Sequence, residues 1–103
     1  LLDADLLTFT GTTIKLMCPY KATSSNRVRW DYKKEGVPAV LLAENDFINK
    51  ITLSPEVYNR LSVYGNHAAG DYNLNINDIR KSDEGEYQCV VSSNEMTIIL
   101  TVI

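Results

Sequence analysis

Apolar and polar positions alternate in short runs along this chain, with the period of two that a half-buried strand imposes. In residues 12–19, Ile14, Leu16 and Cys18 fall on one side and Thr13, Lys15 and Met17 on the other. In residues 27–33, Val28, Trp30 and Tyr32 oppose Arg29, Asp31 and Lys33. Residues 71–76 set Tyr72, Leu74 and Ile76 against Asn73 and Asn75, and residues 86–92 gather Tyr87, Cys89 and Val91 on one face. Further strands are expected at residues 40–43, 60–64 and 96–103, with a ragged first strand around residues 6–10. Turn signals separate the runs: Lys34-Glu35-Gly36, Gly65-Asn66, a corner over residues 77–83 anchored by Ile79, and a tight turn around Ser93-Asn94-Glu95 with Asn94 suited to positive φ. The polar stretch 44–59 has room for one short edge strand near residues 50–53, after which Pro55 marks an edge or a loop. Helical periodicity, internal repeats and linkers are missing from the pattern. It predicts an all-β sandwich of eight or nine antiparallel strands.

Length makes residues 1–103 a single domain, since one core consumes a chain of this size. Hydrophobic residues are 45% and charged residues 22%, an ordinary globular balance. The formal charge of −3 offers no clustered basic face for nucleic acid and disfavours anionic membranes. Apolar runs such as residues 39–43 are far too short to span a bilayer, so no direct membrane insertion is expected. The first residues, Leu1-Leu2-Asp3, carry neither an initiator Met nor a secretory signal, and the chain is expected to be a piece of a longer protein. Cys18 and Cys89 lie too far apart for a Cys-x-x-Cys redox pair, and one His cannot complete a zinc site with them. Two buried thiols or one disulfide remain, and the residues around each cysteine favour the disulfide and hence an oxidising compartment.

Catalytic chemistry is hard to assemble from this sequence. His67 sits in a Gly65-Asn66-His67 loop with no nucleophile or carboxylate placed beside it by spacing. The acidic groups Asp3 with Asp5, Glu44 with Asp46, and Asp83 with Glu84 and Glu86 lack calcium-loop spacing and read as solvated loops. Phosphate-binding glycine loops, nucleophile elbows and Asn-x-Ser/Thr acceptors do not occur. The expectation is a protein without enzymatic activity, metal or cofactor.

Three features converge on a family. Cys18 and Cys89 take inward positions on separated strands, Trp30 follows Cys18 by twelve positions on the next strand, and Tyr87 precedes Cys89 by two in Asp83-Glu84-Gly85-Glu86-Tyr87-Gln88-Cys89. A disulfide pins sheet to sheet, an indole fills the volume beside it, and the phenol ties down a corner. With Leu74 and Ile76 these are the expected structural core. The chain resembles the immunoglobulin superfamily over essentially its whole length. Arg60 and Asp83 look like that family's paired Arg and Asp at the base of the sandwich. The long interval between Trp30 and Arg60 leaves room for the two extra strands of a variable-type domain.

Function then rests on surfaces. The loop between the last two strands is too short to project, and residues 96–103 lack the Gly-x-Gly bulge of antigen receptors. The sheet face is better supplied: Arg29, Asp31 and Lys33 point outward from one strand, Gln88 and Val90 from its neighbour, and Thr97, Ile99 and Thr101 from the last. Val40 or Leu42 joins them from the fourth strand. Apolar anchors (Val90, Ile99, Leu42) among charges of both signs form a plausible interface mixture. In a two-fold pair, Arg29 of one copy would meet Asp31 of the other. Pro19-Tyr20, Arg27-Val28-Arg29-Trp30 and Gly70-Asp71-Tyr72-Asn73-Leu74-Asn75-Ile76 are similar in style to membrane-distal domains of junctional adhesion molecules and the coxsackievirus-and-adenovirus receptor, families that pair through this face. The resemblance implies an extracellular adhesion module of a single-pass surface receptor that binds another immunoglobulin-type domain, a homophilic dimer being one form of that pairing. The rival reading is a secreted innate-immune module holding a non-self ligand through its loop end.

Overall fold

Two alternating faces need an apolar partner, and they find it in each other. A computed structural model describes residues 2–103 and arranges them as β1 (Leu2–Thr8), β2 (Ile14–Leu16), β3 (Arg29–Lys33), β4 (Val40–Glu44), β5 (Phe47–Ile48), α1 (Pro55–Tyr58), β6 (Leu61–Tyr64), β7 (Asn73–Ile76), β8 (Gly85–Val91) and β9 (Asn94–Val102). A six-stranded sheet runs β1-β9-β8-β3-β4-β5, and a three-stranded sheet runs β2-β7-β6. Between them lies one apolar cluster that includes Ile14, Leu16, Val28, Trp30, Leu74, Ile76, Ile79 and Leu100. The Cys18–Cys89 disulfide joins the sheets with Cα atoms 5.9 Å apart, and Trp30 lies directly opposite Cys89 across β3 and β8. The indole Nε1–H donates to the Tyr72 carbonyl at 3.0 Å, so the core's largest side chain leaves no polar atom stranded.

The corner before β8 is held by a connected set of side-chain hydrogen bonds. Arg60 Nη1 and Nη2 donate to Asp83 Oδ2 and Oδ1 at 2.7 and 2.9 Å, both residues buried. Asp83 Oδ2 also accepts the Arg80 backbone N–H, and Arg60 Nε donates to the Glu56 carbonyl. The hydrogen bond to Asp83 raises the Arg60 pKa further and keeps its charge fixed. Tyr87 donates its hydroxyl to the Asp83 carbonyl at 2.6 Å, and burial pushes its phenol well above the ordinary range. Gly85 follows at φ +149°. A Cβ there would meet the Tyr32 ring at 2.8 Å, so only glycine lets the strand pass under that ring.

Several expectations need correction. The first strand begins at Leu2 and pairs parallel with β9, Leu2 opposite Met96 through Thr8 opposite Val102, so the strands are not all antiparallel. Residues 50–53 form turns. The extra edge strand is β5, paired with β4 through a two-residue Asn45-Asp46 loop. Pro55 opens a four-residue helix, where its missing N–H costs nothing. The β8–β9 loop is Ser92-Ser93, with positive φ (55°) at Ser92; Asn94 already belongs to β9, opposite Val91. Asn73 is buried despite its outward parity, because its Oδ1 accepts the Cys18 backbone N–H at 2.9 Å. No described helix is long and apolar enough to cross a membrane.

Candidate protein-recognition face

The outward face of the six-stranded sheet is built in rows across strands. Val90 lies between Glu95 and Arg29, Gln88 between Thr97 and Asp31, and Glu86 between Ile99 and Lys33. Antiparallel pairing forces this, since residues opposite one another share a side of the sheet. Gln88 Nε2 donates to Thr97 Oγ1 at 3.4 Å. On β9, Ile99 is 41% exposed while its neighbours Ile98 and Leu100 are buried.

The fourth strand breaks the simple parity. Trp30 pairs with Ala43 but Asp31 pairs with Leu41, so β4 carries one extra residue at this point. That residue is Leu42, and it turns inward to 4% exposure beside an equally buried Ala43. Val40 lies opposite inward-facing Tyr32. Both fourth-strand candidates for the outward face are therefore excluded, and Leu41, opposite Asp31, takes the place. The bulge escaped sequence reasoning because Val40-Leu41-Leu42-Ala43 is apolar throughout and carries no alternation to break. Phe47, 73% exposed and opposite Glu44, extends the same face. Its isolation in a polar stretch was its only sequence signal.

Arg29 and Asp31 bond within one chain: Nε donates to Oδ2 at 3.0 Å. The expected exchange of these charges between copies has a competitor already in place. Lys33 is exposed at the strand's end. The remaining predicted residues, Trp30, Tyr87, Leu74, Ile76, Cys18, Cys89, Arg60 and Asp83, all lie in the interior and shape the scaffold beneath this face.

Other chemistry is modest. His67 is exposed and stacks on Tyr72 with ring centroids 4.4 Å apart. Glu84 accepts the Val102 backbone N–H and a Lys81 hydrogen bond, which lower its pKa. Among the described residues no group of three or more His, Cys, Asp or Glu is arranged to hold a metal. A crevice of about 190 Å³ beneath α1 is lined by Tyr32, Val40, Leu42, Leu53, Val57 and Leu61. A polar recess of about 400 Å³ lies at the other end of the face, around Arg27 and Arg29. Arg27 is a further residue that sequence reasoning did not assign to the surface.

Comparison with known proteins agrees with this architecture. Residues 3–101 match the family model described as the immunoglobulin V-set domain. The human cell surface A33 antigen is 29% identical over 92 residues, covering 80% of this chain and 27% of that protein; the chain thus spans about a quarter of that relative's length. A solved chain from structure-based photo-crosslinking analyses of multimeric cell-adhesive interactions of VGSC beta subunits superposes with a TM-score of 0.72. The superposition covers 98% of this chain and 92% of that one at 19% identity, a likeness of fold. With nearly the whole length matched and the sheets arranged accordingly, this chain belongs to the immunoglobulin V-set domain family.

Proposed function

We propose that the domain is an extracellular recognition module of a single-pass surface protein, and that it binds another immunoglobulin-type domain through the outward face of the six-stranded sheet. The observation that carries this reading is the placement of Val90, Leu41, Ile99 and Phe47 on one face, between Arg29, Lys33, Glu44 and Glu86. Apolar centres with a mixed-charge surround suit a specific, reversible contact: the centre supplies affinity, and the charges select register and partner. The cell-surface relative and the adhesive neighbour support the same class of role. The two-residue β8–β9 loop weighs against a projecting antigen-binding end.

The test uses the 103-residue chain with a substitution on each sheet: Ile99→Arg on the proposed face and Ser62→Arg on the opposite one. Sedimentation equilibrium reads self-association, and binding to a panel of cell-surface immunoglobulin ectodomains reads heterophilic pairing. Binding lost with Ile99→Arg and kept with Ser62→Arg is the expected result. The reverse pattern, or no binding by the wild type in either assay, overturns the reading.

A further inference from the structure

The crevice beneath α1, about 190 Å³ in volume, lies between the two sheets at the base of the sandwich. Val40 and Leu42 of β4 line one side. Leu53 just before α1, Val57 within it and Leu61 at the start of β6 line the other. Of these five side chains Leu42 alone is buried; the rest stay half-buried although they border a common space. In a close-packed interior they would meet across it. The helix above cannot settle to close the gap. It is a single turn that buries none of its residues fully, and it is tied through Glu56 to the neighbouring corner. Arg60 Nε donates to the Glu56 carbonyl at 2.9 Å, and Arg80 pairs with the Glu56 carboxylate. Moving α1 down onto β4 would strain both contacts, so the space persists.

The polar groups around the crevice are already engaged. Tyr32 donates its hydroxyl to the Glu84 carbonyl, and Tyr87 donates to the Asp83 carbonyl, so both tyrosines offer the space their rings alone. The two Asp83 carboxylate oxygens accept from Arg60, and Oδ2 accepts the Arg80 backbone N–H as well. Among the described polar side chains that line it, the exposed Ser82 is the one without a partner. A water molecule needs two to four polar partners and gains little here.

From this geometry we infer that the crevice binds a small uncharged apolar molecule, a single aromatic ring bearing at most one short neutral substituent. A cavity of about 150 Å³ lined by aliphatic and aromatic side chains holds benzene, and the crevice here has slightly more room. The ring would gain dispersion contacts with the aliphatic walls and a tilted packing against Tyr32 and Tyr87. A hydroxyl on the ring has Ser82 to meet. Charge is disfavoured in either sign: the Asp83 carboxylate repels an anion, and a cation finds that carboxylate already neutralised by Arg60. None of the lining residues lies on the outward face of the six-stranded sheet, so this site stands whether or not that face binds a protein.

An NMR titration of the chain labelled with ¹³C at its Ile, Leu and Val methyls tests it, with indole and benzyl alcohol as probes, benzoate as the charged comparison and glucose as the polar one. The expected result is saturable shifts of the Val40, Leu42, Leu53, Val57 and Leu61 methyls with at least one neutral ring, and nuclear Overhauser contacts from the ring protons to those methyls. Benzoate and glucose should bind at least about tenfold more weakly. Val57→Phe fills the crevice from α1 and should weaken binding of the neutral ring at least about tenfold; Val40→Phe, from the opposite wall, should do the same. Ile99→Arg, on the recognition face, should leave the titration unchanged. No saturation by either neutral ring, equal binding of benzoate, or contacts to Ile99 in place of the crevice methyls overturns the proposal. So does unchanged binding in both filled variants, and the wild-type contacts remain decisive where a filled variant does not fold.

Discussion

Tyr87 joins two environments within one side chain, its ring tilted against Tyr32 at 5.0 Å and its hydroxyl on the Asp83 carbonyl. Removing that hydroxyl leaves a buried carbonyl short of a partner, so Tyr87→Phe should cost about 1–2 kcal/mol in denaturant unfolding. A pH consequence accompanies it. The folded phenol is held neutral by burial and the nearby Asp83 charge, while the unfolded chain ionises near its ordinary value of 10.0. Stability from this group is therefore complete below that value and falls as pH rises beyond it, because only the unfolded state releases the proton. Unfolding midpoints measured from about pH 8 to 11 should fall less steeply in Tyr87→Phe than in the wild type. An identical slope would mean that the alkaline loss arises elsewhere, and Tyr32 and Tyr64, both raised by burial, are the groups to examine. The corner carboxylate differs in kind from its neighbours: Asp83 is buried and fully engaged, whereas Glu84 is partly exposed and bonded to Lys81 and to the last strand. Read as a solvated run, the acidic segment conceals that division.

Elements show where the sequence is legible and where it is not. Strands β2, β3 and β8 are readable because one buried face alternates with one solvated face, and Cys18, Trp30 and Cys89 mark the inward side chemically. The fourth strand is unreadable at the same level, since four consecutive apolar residues fit either parity. The bulge makes a sharp energetic distinction between adjacent leucines. Leu42→Ala should cost about 2–5 kcal/mol, as a buried deletion does, while Leu41→Ala stays within about 0.5 kcal/mol of wild type in the isolated domain. Reversed costs, measured by thermal or urea unfolding, would place the extra residue elsewhere in the strand. Helix α1 was hidden for another reason: Pro55 is compatible with a strand edge, a loop or a helix start, and only the packed segment between β5 and β6 selects the last. The partners of β1 were equally unreadable, because pairing of residues so far apart in sequence leaves no local mark. The recognition face was legible in its central strands and lost at its margins, where Leu41, Phe47 and Arg27 depend on register and loop shape.

At the scale of the molecule, one covalent link and one strand pairing set the limits of deformation. The disulfide closes 71 positions of chain, a constraint that stabilises the fold by about 4 kcal/mol on the chain-entropy model. Strand β1 starts beside the β8–β9 turn and β9 ends at the opposite pole, and the two run side by side in the same direction. Tension applied at the two ends of the chain therefore drags these strands past each other lengthwise. All seven of their residue pairs resist together, where an antiparallel hairpin pulled from its open end would give way one pair at a time. Single-molecule pulling should show one abrupt rupture, at lower force once residues 2–5 are removed. The oxidised chain should then stop lengthening early, and a reductant should release roughly 240 Å more, the contour of the closed segment. Gradual yielding of the intact chain would contradict this geometry. A domain arranged in this way carries a pull between its two ends through its first and last strands while its crosslinked interior keeps its form.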